Sequence, residues 1–137
     1  MPRIIHIAAA LIIRPDGRTL LCRKANTATF MQPGGKLEPG ETATAALIRE
    51  LEEELGLVLI ASDLAPLGRF EADAANESGA TVRADCFLVQ TAAPVTAARE
   101  IAELIWIDPL APPPIPLAPL TADHILPLWR VHLSRRA

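Results

Sequence analysis

The chain is expected to fold as an α/β domain in which a mixed sheet is layered with two helices, one central and one terminal. Three observations support this. Short β-branched and apolar runs recur between clusters of turn residues, one long helix-forming stretch lies mid-chain, and a second closes it. At 137 residues the chain suits one domain, spanning 1–137, able to bury a continuous core without disulfide or metal support.

Ile4 to Arg14 is apolar with few interruptions, and Arg14-Pro15-Asp16-Gly17-Arg18 is turn chemistry leading into Thr19 to Arg23, so a hairpin is expected. Ala25 to Gln32 reads as irregular, and Pro33 to Gly40 holds too many breakers for anything but a loop. Thr42 to Leu55 has no Gly or Pro, is rich in Ala, Leu and Glu, and ends at Gly56, which tolerates a left-handed cap; this is the central helix. Leu57 to Ile60, Leu64 to Ala72, Thr81 to Gln90 and Ile101 to Ile107 read as strands, with a turn at Asn76-Glu77-Ser78-Gly79. Asp108 to Pro119, with six prolines, is a stiff extended connector. Leu120 to Leu133 is the closing helix, capped by Thr121 or Asp123, with Pro127 near its first turn or at a kink.

Composition excludes several functions. No run of 18 apolar residues is present to span a bilayer, and the start of the chain has no secretory signal pattern, so a soluble cytoplasmic protein is expected. The net charge of −3, with no basic run, no Tyr, three Phe and two Trp, argues against a nucleic-acid surface. An acidic protein that handles phosphates needs a divalent cation as a bridge. Cys22 and Cys86 lie in apolar strand-like runs and read as reduced, buried small hydrophobes.

At 100° per residue, Leu47, Ile48, Leu51 and Leu55 form one stripe of the central helix, while Glu50, Glu53 and Glu54 converge on another face. Like charges at that spacing repel, and a hard cation with oxygen ligands reverses the sign. Arg49 stands one turn before Glu53 and can orient it. Gly34, Gly35 and Gly40 just upstream permit close backbone approach, so the loop can wrap a metal and a phosphate. Gly34-Gly35-Lys36 is not a phosphate-binding P-loop, because Leu37 stands where Ser or Thr is required.

These residues match the signature G-x5-E-x7-R-E-U-x-E-E-x-G-U, U being aliphatic, from Gly35 through Glu41, Arg49-Glu50-Leu51-Glu52-Glu53-Glu54 and Leu55 to Gly56-Leu57. At roughly 6% per fixed residue, seven matches at a given register arise by chance on the order of 10⁻⁹. The chain resembles the Nudix family in this box, about a sixth of its length, and in the order of strands around it. The resemblance implies an α/β/α sandwich and a pyrophosphohydrolase dependent on Mg²⁺, or on Mn²⁺ in its place. It implies Glu50, Glu53 and Glu54 as metal ligands with the Gly34 carbonyl, Glu41 and Arg49 as the pair holding loop to helix, and Glu52 as solvent-facing. Glu50 is the first choice of general base; Glu100 or Glu103 are alternatives for that role or for a further metal contact.

Around the box, Arg23 and Lys24 are candidates for phosphate or base contacts, or for edge protection. Gly35 and Lys36 are candidates for substrate binding. Asp123 is a candidate for base recognition or a helix cap, and His124 reads as solvated. Phe30 and Trp106 are core residues or base-pocket walls, while His6 and His132 read as structural or surface residues. Within the family the resemblance points, by elimination, to a MutT-like hydrolase converting a nucleoside triphosphate, oxidised forms included, to monophosphate and pyrophosphate. The tyrosine of dinucleoside polyphosphate hydrolases and the proline of ADP-ribose hydrolases are missing. Hydrolysis of another nucleoside diphosphate derivative, such as a nucleotide sugar, and a non-catalytic nucleotide sensor are the alternatives. The expected partner is a small nucleotide, with no membrane and no nucleic-acid polymer. A homodimer is compatible with the Ala/Pro/Leu-rich region near the C-terminus.

Overall fold

The computed structural model describes residues 3–136, and Met1, Pro2 and Ala137 lie outside it. One mixed sheet contains β1 (Arg3–Ile13), β2 (Thr19–Lys24), β3 (Phe30–Met31), β4 (Gly34–Lys36), β5 (Ala65–Asp73), β6 (Ala80–Gln90) and β7 (Ile101–Ile107). Two α-helices flank it, α1 (Ala43–Leu55) and α2 (Leu126–Arg136).

β1 explains the layering. Its side chains alternate between two apolar layers: Ala8, Ala10 and Ile12 pack with Leu47, Leu51 and Leu55 of α1, while Ala9, Leu11 and Ile13 pack with Ile125 and Trp129 on the other side. A strand covered on both faces reads as a continuous apolar run, which is why this segment shows no polar alternation. The expected α/β/α sandwich is the observed one.

β1 runs parallel to β6 from Arg3 opposite Ala80 to Ile13 opposite Gln90, and β5 is antiparallel to β6 at the sheet edge. The expected hairpin exists only at its turn, where Ile13 faces Thr19. Beyond that point β2 leaves β1 and pairs with β7 and β3. The vacated edge of β1 is taken by β4, with Ile7, Ala8 and Ala9 opposite Lys36, Gly35 and Gly34.

That pairing corrects the loop expected over Pro33 to Gly40. Gly34 lies at φ +147°, and a Cβ there would collide with the Ala8 carbonyl oxygen. Residues that look like breakers are here the ones small enough to fit against the central strand. Phe30–Met31 is likewise a short strand inside the segment expected to be irregular, because β2 offers it an edge.

α1 begins where Thr42 Oγ1 accepts the Ala45 N–H at 3.1 Å, and it ends at Gly56, φ 68°, whose N–H reaches back to the helix carbonyls. The strand expected over Leu57 to Ile60 is absent: this stretch is extended but pairs with no edge, its Leu57 buried in the core and Val58 and Ile60 exposed. The closing helix begins at Pro119 and widens at once into a π-turn, Thr121–Ile125, in which the Leu126 N–H reaches the Thr121 carbonyl. Pro127 follows directly on the π-turn, inside the helical run, so its missing N–H falls where the wider turn already interrupts the regular hydrogen-bond ladder. No side chain caps this start, so neither Thr121 nor Asp123 plays the expected capping role.

Replacing Gly34 with Ala forces a Cβ into the β1 backbone at a positive φ. The expected cost is about 2–6 kcal/mol, combining backbone strain and overpacking. Urea unfolding measures it, and a loss below 1 kcal/mol would show that β4 does not need this approach.

Candidate active site

The glycine-rich strand and α1 are fastened by one guanidinium. Arg49 donates from Nε and from an NH2 group to the two Glu41 carboxylate oxygens, each at 2.8 Å. It donates to Glu50 Oε1 at 2.8 Å and to the Lys36 carbonyl at 3.3 Å. Glu41 also accepts the Glu38 N–H at 2.9 Å, so the loop before the helix is held at both ends. These contacts, the Arg49 hydrogen bonds first, hold the Glu41 carboxyl down to about 2. Glu41 and Arg49 are thus joined as a loop-to-helix tie.

Gly35 gives Glu50 its place. A Cβ at that position would lie 2.5 Å from the Glu50 carboxylate carbon, so the acid rests on the bare glycine backbone. One turn later, Glu54 is 7% exposed, and its Oε2 has no hydrogen-bond partner among the described residues. Burial, then the charge of Glu50, push the Glu54 carboxyl up to about 8, partly opposed by Lys24. Glu100 adds to the same repulsion. Its segment is drawn in because the Ala98 N–H donates to the Glu54 carbonyl at 2.9 Å and Thr96 to that of Leu55 at 3.0 Å.

The three-carboxylate patch expected on α1 is only partly formed. Glu50 and Glu54 face one another, while Glu53, 38% exposed, stands 3.7 Å from the Arg49 nitrogen that also donates to Glu50. Among the described residues no three His, Cys, Asp or Glu side chains form a cation-sized group. With only like charges between them, Arg49 is the counter-ion Glu53 finds. The donor set still fits a hard divalent cation. The buried Glu54, with an orphaned oxygen beside the half-buried Glu50, has unspent ligand capacity, and the bare backbone at Gly35 leaves room beside them.

A cavity of about 420 Å³ lies on the other side of β4, lined by Gly34, Gly35, Lys24 and Lys36, among others. Ile5, Ile7, Met31 and Leu120 make its apolar wall, and no aromatic side chain lines it. Its buried polar pair is Gln32 and Thr121. Thr121 Oγ1 donates to Gln32 Oε1 at 3.1 Å, and Gln32 Nε2 donates to the Ala10 carbonyl at 2.9 Å. On the rim, Lys36 Nζ stands 3.2 Å from Glu77, which also pairs with Arg3 at 2.9 Å.

The remaining candidates fall elsewhere. Arg23 and Glu103 face each other across β2 and β7, paired at 3.1 Å, and neither lines the cavity; Glu100 does. Asp123 is exposed and outside the lining, because the π-turn directs Thr121 inward in its stead. His124 Nε2 donates to the Glu71 carbonyl, 3.0 Å away, and the ring packs against Phe70. Phe30 is buried in the core, and Trp106 lies beneath the Arg14 guanidinium at 4.7 Å, so neither is a cavity wall. Cys22 and Cys86 are free and buried, and burial pushes each thiol up to about 12. Sequence reading missed Gln32 and Thr121 as cavity residues; nothing in their local pattern distinguishes them from loop and cap residues.

A model of the NUDIX domain matches residues 4–128. The Escherichia coli K12 protein named CTP pyrophosphohydrolase is 33% identical over 140 residues, covering 98% of this chain and 96% of its own. The Haemophilus influenzae 8-oxo-dGTP diphosphatase is 40% identical over 73 residues, which are 50% of this chain and 54% of that protein. The chain thus spans about half the length of the second relative and nearly all of the first. Among solved structures, that of the E. coli ORF135 protein superposes with TM-score 0.70 at 29% identity, covering 99% of this chain and 93% of that one. With the box geometry above, these matches make the chain a Nudix hydrolase, a member of the NUDIX domain family.

Glu54 makes the metal-free protein pH-sensitive. Its carboxyl ionises near 4.5 ordinarily and near 8 when folded, so the folded state holds an extra proton between those values and stability falls as pH rises through them. The expected loss in Tm from about pH 5 to about pH 8, in chelator, is roughly 5 °C or more, and Glu54→Gln flattens it. Thermal unfolding followed by circular dichroism reads this directly; an identical slope in the variant would clear Glu54 of the effect.

Proposed function

We propose that this Nudix hydrolase cleaves nucleoside triphosphates to monophosphate and pyrophosphate with Mg²⁺, or Mn²⁺, held by Glu50, Glu54 and Glu53. The observation that carries this is the buried Glu54, whose unpartnered oxygen beside the half-buried Glu50 lacks the positive charge that a divalent cation would supply. The Gly34 carbonyl is the proposed further ligand from the chain. The two relatives above are named for CTP and for 8-oxo-dGTP, both triphosphates. The buried, reduced thiols suit a cytoplasmic setting.

A bound cation supplies charge neutralisation of the diphosphate and acidification of water. The chain's residues do the rest. Glu50, resting on Gly35 beside the cavity, accepts the proton of the attacking water at its carboxylate as that oxygen forms the new P–O bond and the bridging P–O bond breaks. Arg49 holds Glu50 at 2.8 Å and so fixes the direction of proton transfer. Lys36 and Lys24, lining the cavity, offer cations to the phosphates; Glu77 occupies Lys36 until a phosphate displaces it. The aliphatic wall and the neutral Gln32–Thr121 pair take the base.

The test is a nucleotide panel containing ordinary and oxidised triphosphates and a nucleotide sugar, assayed with Mg²⁺ for pyrophosphate or phosphate release. Pyrophosphate release from a triphosphate is expected, with kcat lowered ~10²–10⁴-fold in Glu50→Gln and Glu53→Gln while circular dichroism is unchanged. Turnover only of the sugar derivative, or full activity in both variants, contradicts the proposal.

Base recognition is separable. Thr121→Val is expected to shift the ratio of kcat/KM between purine and pyrimidine triphosphates by ~5-fold or more, the worth of one buried hydrogen bond. Asp123→Ala, outside the cavity, leaves that ratio unchanged; the opposite pattern would return base contact to Asp123.

A further inference from the structure

A second cavity, of about 710 Å³, opens at the far end of β1, lined by Ile13, the Arg14–Arg18 turn, Asp108 and, from α2, Trp129 and Leu133. It shares no lining residue with the cavity beside the glutamates. Trp129 is 3% exposed, and its indole N–H meets no acceptor among the described residues. A buried donor in that state is under-satisfied, and a molecule offering an acceptor relieves it.

The other hydrogen-bonding groups of this cavity are unbalanced in the same direction. Both carboxylates are engaged: Asp16 receives the Arg14 Nε–H at 2.9 Å and the Arg18 backbone N–H at 3.0 Å, and Asp108 receives the Leu110 N–H at 2.9 Å. The donors are not. Arg14 uses only Nε in its hydrogen bonds, leaving its terminal nitrogens free, and the Arg18 guanidinium comes no closer to Asp16 than 3.9 Å. What the cavity lacks is an acceptor-rich group. Its floor of Ile13, Leu133 and the Trp129 ring is apolar, and its volume is that of a small-molecule site rather than an ion site.

We propose that this cavity is a second binding site, for a small organic oxyanion whose charged group is taken by Arg14 and Arg18 while its body covers the apolar floor and accepts the Trp129 N–H. Guanidinium donors favour phosphate and carboxylate oxygens for their paired geometry. The site is independent of the catalytic reading, since it uses none of those residues.

The chain's two tryptophans both report on it, Trp129 from the wall and Trp106 beneath Arg14. GMP, citrate and inorganic phosphate are titrated separately into the metal-free full chain in chelator, followed by tryptophan fluorescence and calorimetry. Saturable binding of GMP or citrate is expected, the stronger of the two assigning the site to phosphate esters or to carboxylates. The Arg14→Gln/Arg18→Gln double variant is expected to raise Kd by ~10-fold or more. Trp129→Phe, which keeps the ring and removes the N–H, weakens binding less, with Trp106 as reporter. Lys36→Ala leaves it unchanged. Loss of binding in Lys36→Ala with retention in the arginine variant would place the ligand in the other cavity and overturn the proposal. So would no saturable response to GMP or citrate up to ~10 mM, or inorganic phosphate binding as tightly as either.

Discussion

The arrangement depends on two residues that contribute no side chain. Gly34 lies against the Ala8 carbonyl with no room for a Cβ, and Gly35 lies under the Glu50 carboxylate with none either. β4 is therefore pressed between the central strand and the helix that carries the acids, at a separation only a bare backbone allows. Every distance in the site follows from that thickness. Glu50 rests on Gly35, which lines the cavity together with Ile5, Ile7, Ala8 and Ala9 on β1 and Lys24 at the end of β2.

Charge is then distributed by who reaches Arg49. Glu41 takes it in a two-pronged grip and is held at about 2, while Glu50 takes a single hydrogen bond. Glu53 is left at ion-pair distance. Glu54, buried one turn further, has no hydrogen bond from it and rises to about 8. Two acids separated by thirteen positions in one signature are thus driven in opposite directions, one by a cation already in the chain and the other by the want of one.

The sequence made part of this readable. Thr42 and Gly56 mark the ends of α1 because capping is a local matter, and the acids on it are set by helical periodicity alone. Cover on both faces accounts for the dense apolar run of β1, which reads as a strand from its composition. What failed depended on partners distant in sequence. Gly34–Lys36 reads as a loop until an edge of β1 is available to it, and Leu57 to Ile60 reads as a strand until it is clear that no edge is. Gln32 and Thr121 meet across 89 positions, so neither residue alone announces the contact. The Glu53–Arg49 contact, by contrast, is an i,i+4 pair that the spacing along the helix already offers.

The π-turn at Thr121–Ile125 is a wider turn within an otherwise ordinary helix, holding one residue more than the α spiral would. It uncouples the two ends of the closing segment. Trp129 and the turns after it keep their seat on the sheet, while the residues before the widening take a different rotational phase. Removing that single surplus residue would swing the start of the segment by about 100° and present a different side chain to the nucleotide side without disturbing the anchor. Such a position lets one codon gained or lost exchange the side chain at the cavity wall, leaving the hydrophobic seat of the helix unaltered.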